Sequence, residues 1–181
     1  MQVGPNVADG YYWRIFNGQI PSDALIAGKD KDGLPIYIGQ VLYNDKLLPA
    51  KIYTNDRLAY FAWNSEQSTD KNVKILCTPY PERFSWAQTK KNEIHMLINQ
   101  YIISGGHESN YVLYIGRAFY NYETTVGRVR TGERATQNQG LIVSTDGREQ
   151  SFESFEILTY NPTAEPTGTK YCHRNMLFIS N

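Results

Sequence analysis

The sequence predicts an all-β protein of two tandem repeats, each a small antiparallel sheet, the two related by a pseudo-twofold. Three observations predict this. One pattern is written twice: Tyr37-Ile38-Gly39-Gln40-Val41-Leu42-Tyr43-Asn44 recurs 77 residues on as Tyr114-Ile115-Gly116-Arg117-Ala118-Phe119-Tyr120-Asn121. The shift runs without a gap from Ile26-Ala27-Gly28 on Ile103-Ser104-Gly105 to Lys51-Ile52 on Arg128-Val129. Strand formers, 14 tyrosines among them, are bounded at short intervals by Gly, Asn, Asp and Pro.

The elements follow in order. Trp13 opens the first repeat, 13–77. Gly28 and Gly33 flank an Asp-rich loop, where glycine permits positive φ and a sharp reversal. Residues 34–43 alternate weakly and meet Asn44-Asp45, which reads as a strand and a hairpin turn. Residues 50–53, 58–63 and 73–77 read as the next strands. A Pro-containing linker covers 78–85. The second repeat spans 86–160, with a weak helical signal over 90–102 and strands over 111–120, 126–130, 140–144 and 152–159. Ser68-Thr69-Asp70 recurs as Ser144-Thr145-Asp146, which suggests a turn shared by both copies. The last segment, 161–181, reads as a loop leading into the apolar run Met176-Leu177-Phe178-Ile179, expected to pack on the repeats as a strand.

Bulk properties exclude several function classes. Eighteen basic residues balance eighteen acidic ones and no basic run occurs, which disfavours nucleic acid as a partner. No apolar stretch is long enough for a membrane-spanning helix. The first six residues lack a basic stretch followed by an apolar one, so a cytoplasmic or leaderless secreted location is expected. The absence of an Asn-x-Ser/Thr acceptor leans the same way, since Asn161 precedes Pro162. Cys77 and Cys172 read as two reduced thiols, with a disulfide as the alternative.

Catalytic and metal constellations are weak. His95, His107 and His173 are scattered, and Cys172-His173 lacks a second ligand pair. Neither a Gly-x-Ser-x-Gly elbow nor a phosphate loop occurs, so the protein is read as a non-enzyme without cofactor. Asp30-Lys31-Asp32-Gly33 resembles half of a calcium loop, but no acid follows at the required spacing, and no metal site is assigned. Two readings of Asp30 compete. Its carboxylate can cap an Asx-turn by accepting backbone amides, or it can face a ligand. Lys51 is likewise either a solvated strand-end charge or a ligand donor.

The spacing of Trp13, Gly18-Gln19-Ile20-Pro21-Ser22-Asp23-Ala24, Gly28-Lys29-Asp30-Lys31-Asp32-Gly33, Tyr37-Ile38-Gly39 and Leu48-Pro49-Ala50-Lys51 closely resembles the DM-nine repeat family. The resemblance is strong over 13–77 and looser over 86–160. Members include mannose-binding lectins with two such repeats, the lectin-like heads of natterin-type toxins, and cytosolic sperm motility proteins that promote filament assembly; the family's roles span sugar binding, innate recognition and the cytoskeleton. At 181 residues the chain is not expected to be a complete natterin-type toxin with a pore-forming module after the repeats. In the mannose-binding members, as the resemblance implies, the loop Asp and the turn Lys bind vicinal hydroxyls without a metal; those positions match Asp30 and Lys51 here. A carboxylate accepts from two hydroxyls while an ammonium donates to a third oxygen. The second copy has His107 in place of Asp30 and Arg128 in place of Lys51, with Glu108 as a neighbouring acceptor. These pseudo-symmetric positions are expected to be altered or weaker.

The expectation is therefore a metal-independent lectin module for mannose-type glycans, with Asp30 and Lys51 in a partly exposed cleft between the repeats. The rival is a cytosolic structural or assembly protein of the sperm motility type, binding protein partners. A homodimer is expected for the lectin, because linked sites raise weak sugar affinity by avidity.

Overall fold

The computed structural model describes residues 10–132 and 137–165. The N-terminal half contributes β1 (Tyr12–Ile15), β2 (Ile26–Lys29), β3 (Pro35–Tyr43), β4 (Lys46–Tyr53), β5 (Ala59–Ala62), β6 (Glu66–Thr69) and β7 (Val73–Cys77). The C-terminal half contributes β8 (Phe84–Lys90), β9 (Tyr101–Ile102), β10 (Ser104–Glu108), β11 (Tyr111–Tyr120), β12 (Glu123–Arg130), β13 (Gly140–Thr145), β14 (Arg148–Phe152) and β15 (Ser154–Tyr160). Every strand pairing is antiparallel, so the all-β expectation holds.

The same ladder is drawn in each half. In the first, β1 pairs β7, β7 pairs β3, β3 pairs β2 and β4, and β5 bridges β4 to β6. In the second, β8 pairs β15, β15 pairs β11, β11 pairs β10 and β12, and β13 bridges β12 to β14. Trp13 faces Leu76 across its ladder as Trp86 faces Leu158. Both long hairpins turn on two left-handed residues, Asn44-Asp45 and Asn121-Tyr122, which matches the twist of the flanking strands.

The 77-residue correspondence has limits. Gly39 faces Ile75, whereas Gly116 faces Ile157, which moves the correspondence to 82 by the closing strand. The connection between β12 and β13 is five residues longer than the one between β4 and β5: Val129 pairs with Leu141 where Ile52 pairs with Ala59. The serine-threonine-aspartate recurrence is therefore not a shared turn. Ser68 and Thr69 end β6, while Ser144 and Thr145 end β13, the counterpart of β5.

Three further expectations need correction. The weak helical signal over 90–102 corresponds to a single 3-10 turn, Ile94–Met96, followed by β9. Ile94 alone of that turn is buried, so there is no apolar stripe to hold a longer helix. The linker ends earlier than expected: Pro81–Arg83 form a 3-10 turn and β8 begins at Phe84. Thr78 is buried, with its N–H on the Asp23 carbonyl and its hydroxyl on the Gly10 carbonyl. The two sheets are also not separate, because β10 pairs with β4 through His107 and Leu47 and joins all 15 strands into one network. The segment 166–181, with Cys172, His173 and the apolar run, lies outside the described residues. Cys77 is buried in β7, and burial pushes its thiol up to about 12.

The core explains the joining. One apolar cluster belongs mainly to the first half and one to the second. Between them sits a third, drawn from both: Ile36, Ile38 and Leu76 against Ile103, Ile115, Val126 and Leu158. Each such side chain contributes roughly 1.5–3 kcal/mol on burial, and the shared cluster is intermediate in size between those of the two halves. Glycines let the backbones meet. A Cβ on Gly28 would collide with Thr124, and one on Gly106 with the Leu47 carbonyl. Polar links cross in both directions at matching positions. Gln40 donates to the Gly105 carbonyl, and Arg117, its counterpart, donates to the Ala27 carbonyl. β4 and β12 pack on each other at the centre. Five consecutive residues are buried in each, 48–52 and 125–129. This placement buries the charges of Lys51 and Arg128.

Candidate functional site

The Asp-rich loop is built by its own side chain. Asp30 Oδ1 accepts the amides of Asp32 and Leu34 at 2.9 and 2.8 Å, and Gly33 turns the chain at φ +81°. One carboxylate oxygen thus makes the Asx-turn. Among the described residues, Oδ2 has no hydrogen-bond partner and remains an acceptor. The two competing readings of Asp30 are both available, one oxygen each.

Lys51 is not a solvated strand end, since only 1% of it is exposed. Its ammonium donates to Glu123 Oε1 at 2.8 Å, lies 3.5 Å from the Ser144 carbonyl, and sits 4.8 Å above the Tyr53 ring. The Tyr53 hydroxyl donates to both oxygens of Glu123 at 2.8 and 3.1 Å. Burial first, and then this bond, raise the Tyr53 phenol well above its ordinary value. An ammonium carries three N–H donors. One is taken by Glu123 and a second points weakly at Ser144, which leaves one for a ligand.

Asp30 and Lys51 line one cleft of about 530 Å³, within the range of small-molecule sites. The first half supplies Asp30, Asp32, Lys51, Tyr53, Asp56, Tyr60 and Glu66; the second supplies Asn121, Glu123, Thr145 and Asp146. Tyr60 donates to Asp56 at 2.6 Å, and this bond holds its phenol up to about 12. Asn121 donates to Asp146 at 2.5 Å. Six carboxylates face two ammonium groups, so the cleft is acidic and rich in acceptors. Sequence reasoning missed Glu123, whose counterpart 77 residues earlier is Lys46. A carboxylate present in one copy only is a usable signal, but its pairing with Lys51 needs the halves to be docked.

A second cleft, of about 490 Å³, holds the counterpart of Lys51. Arg128, 7% exposed, donates to the Ala62 carbonyl and lies 3.5 Å from Glu149. Burial is the main cause that lowers its guanidinium's pKa. Arg130 lies 3.6 Å from Glu108, which also lines this cleft. His107 does not take the place of Asp30. It is an exposed residue inside β10, and the turn that follows is only Ser109-Asn110. In the first half β2 stops at Lys29, so residue 30 opens a loop. The shorter second turn removes the position altogether.

Among the described residues, no group of three or more His, Cys, Asp or Glu side chains could hold a metal ion. None of their helices is long and apolar enough to cross a membrane.

Two overlapping segments, residues 6–60 and 30–137, match the DM9 repeat. No curated protein matches the chain. Among solved structures, the fold is similar to that of the nematode sperm cell motility protein MFP2B, at a TM-score of 0.57 and 14% identity. The similarity covers 90% of this chain and 47% of that one, so the chain spans about half the length of that protein.

Proposed function

Because the chain belongs to the DM9 repeat family, we propose that it is a metal-independent carbohydrate-binding module that takes mannose-type sugars in the cleft of Asp30 and Lys51. One observation carries this reading: the Asp30 carboxylate and the Lys51 ammonium line the same cavity, each with bonding capacity to spare. Adjacent hydroxyls can donate to Asp30 Oδ2 and accept from Lys51, while Glu123 holds that ammonium in place. Tyr53 and Tyr60 offer ring surface beside these groups. A homodimer would present two such clefts and gain by avidity.

A second reading, a structural or assembly protein that binds protein partners, is favoured by the fold likeness to a sperm motility protein. Calorimetry with a methyl mannoside separates the two. Asp30→Asn keeps an oxygen for the Asx-turn but replaces the ligand-facing acceptor. It should cost roughly 1.5–3 kcal/mol, about ten- to a hundredfold in affinity. His107→Ala should leave affinity unchanged. No binding by the parent protein, or equal losses in both variants, would put the assembly reading ahead.

A further inference from the structure

We propose that the second cleft is a separate site for an oxyanion, the carboxylate or sulfate of an acidic saccharide or a free inorganic anion. The case rests on unused donors. Arg128 and Arg130 stand two apart on β12, so both side chains leave the strand on the same face. Each guanidinium is held against an aromatic ring: Arg128 lies 5.5 Å from Trp63 and Arg130 lies 4.0 Å from Tyr111. A guanidinium presents five N–H donors in a fixed fork. Good charge-assisted bonds to carboxylate are about 2.7–2.9 Å long. Here the nearest approaches are 3.5 Å to Glu149 and 3.6 Å to Glu108. Among the described residues, the Nε atoms of both arginines are buried without a partner. Leaving such donors unmade is costly, and a ligand oxygen offers a way to satisfy them.

The carboxylates present do not fill that role. Glu149 Oε2 already accepts the Asn64 amide at 3.1 Å. An incoming oxyanion meets two pre-oriented forks, and the Asn138 amide at the rim, bonded to the Lys91 carbonyl, keeps a second N–H. It also meets Glu108 and Glu149 as competitors. That competition sets a sign that a purely structural role for these residues would not produce.

The test is a titration of the full chain by calorimetry or NMR at fixed ionic strength, with sulfate, glucuronate and neutral glucose as probes. At least one anion should bind at this cleft and glucose should not. Arg130→Gln should weaken anion binding by roughly tenfold or more. Glu149→Gln, which keeps an acceptor for Asn64 while removing a competing charge, should strengthen it several-fold. Asp30→Asn should leave it unchanged, which separates this site from the sugar cleft. Glucuronate binding without sulfate identifies an acidic saccharide; equal binding of both shows that the anion alone suffices. Arg130→Lys, which retains the charge but not the fork, covers the case in which Arg130→Gln fails to fold, and should also weaken binding. The proposal is overturned if neither anion binds at millimolar concentration, if the Arg130 variants bind as the parent does, or if Glu149→Gln weakens binding.

Discussion

The cleft of Lys51 and the cleft of Arg128 are made from corresponding strands, yet they hold their buried cations in different ways. Lys51 has a short, direct ion pair with Glu123, reinforced by the Tyr53 hydroxyl. Arg128 has a backbone carbonyl and a distant carboxylate. The first cleft is lined by six carboxylates, the second by two arginines with donors to spare. Two halves with one strand pattern need not carry one kind of cleft. Strand pairing is the same in both halves, and the central core depends on it. The loops and strand ends that rim each cleft differ between the halves, and little packing rests on them. Two clefts of different character therefore stand on one scaffold.

Removing the carboxylate from each cation breaks this contrast most directly. Glu123→Ala leaves the Lys51 ammonium buried without a counter-charge and should cost about 3–5 kcal/mol. Glu149→Ala removes a longer, more exposed contact, and Arg128 keeps its carbonyl acceptor, so about 1–2 kcal/mol is expected. Urea denaturation of the two variants measures both. Equal losses would mean that the two cations are held alike.

Alkaline titration sharpens the comparison, because the first cleft carries two of the perturbed phenols and the second carries none. Tyr60 is raised from 10.0 to about 12 by its bond to Asp56, and Tyr53 is raised further. A raised folded-state pKa means that the native state holds its proton more tightly than the unfolded chain. The associated stability is complete below pH 10 and is lost as pH rises towards 12 and beyond. Tyr60→Phe should flatten part of that loss in a series of melts from pH 9 upward. An unchanged slope would place the alkaline sensitivity elsewhere, for example at Tyr12, which Asp23 also holds up to about 12.

The smallest effect lies at the hairpin tips. Asn44-Asp45 turns the first hairpin with two residues suited to the left-handed region. The second uses Asn121-Tyr122, with Tyr122 at φ +66° and its side chain 84% exposed. A bulky residue there is strained by about 1 kcal/mol, and its ring gains nothing by burial. Tyr122→Gly should raise stability by up to about 1 kcal/mol in a thermal melt, whereas Asp45→Gly should change it less. A loss on Tyr122→Gly would show that the ring makes a contact worth keeping.

Local chemistry carried much of this protein into plain view. The strands 73–77 and 111–120 could be delimited from residue type and turn signals alone, and so could the Asn44-Asp45 hairpin, because β-branched and aromatic runs between turn formers describe strands wherever they are placed. The Asx-turn at Asp30 was legible for the same reason, since its partners are the next few amides. The strands β1, β2, β6, β8, β9, β10 and β14 were not legible, all but β8 being two to five residues whose main support is a neighbouring strand. His107 misled because a constant shift in sequence hides a change of loop length in space. The pairing of Lys51 with Glu123 spans 72 residues, and its burial follows from the packing of β4 against β12. No periodicity along the chain encodes that contact. Propensities act between neighbours in sequence, whereas burial, counter-ions and cleft walls are set by which strands the shared core brings together.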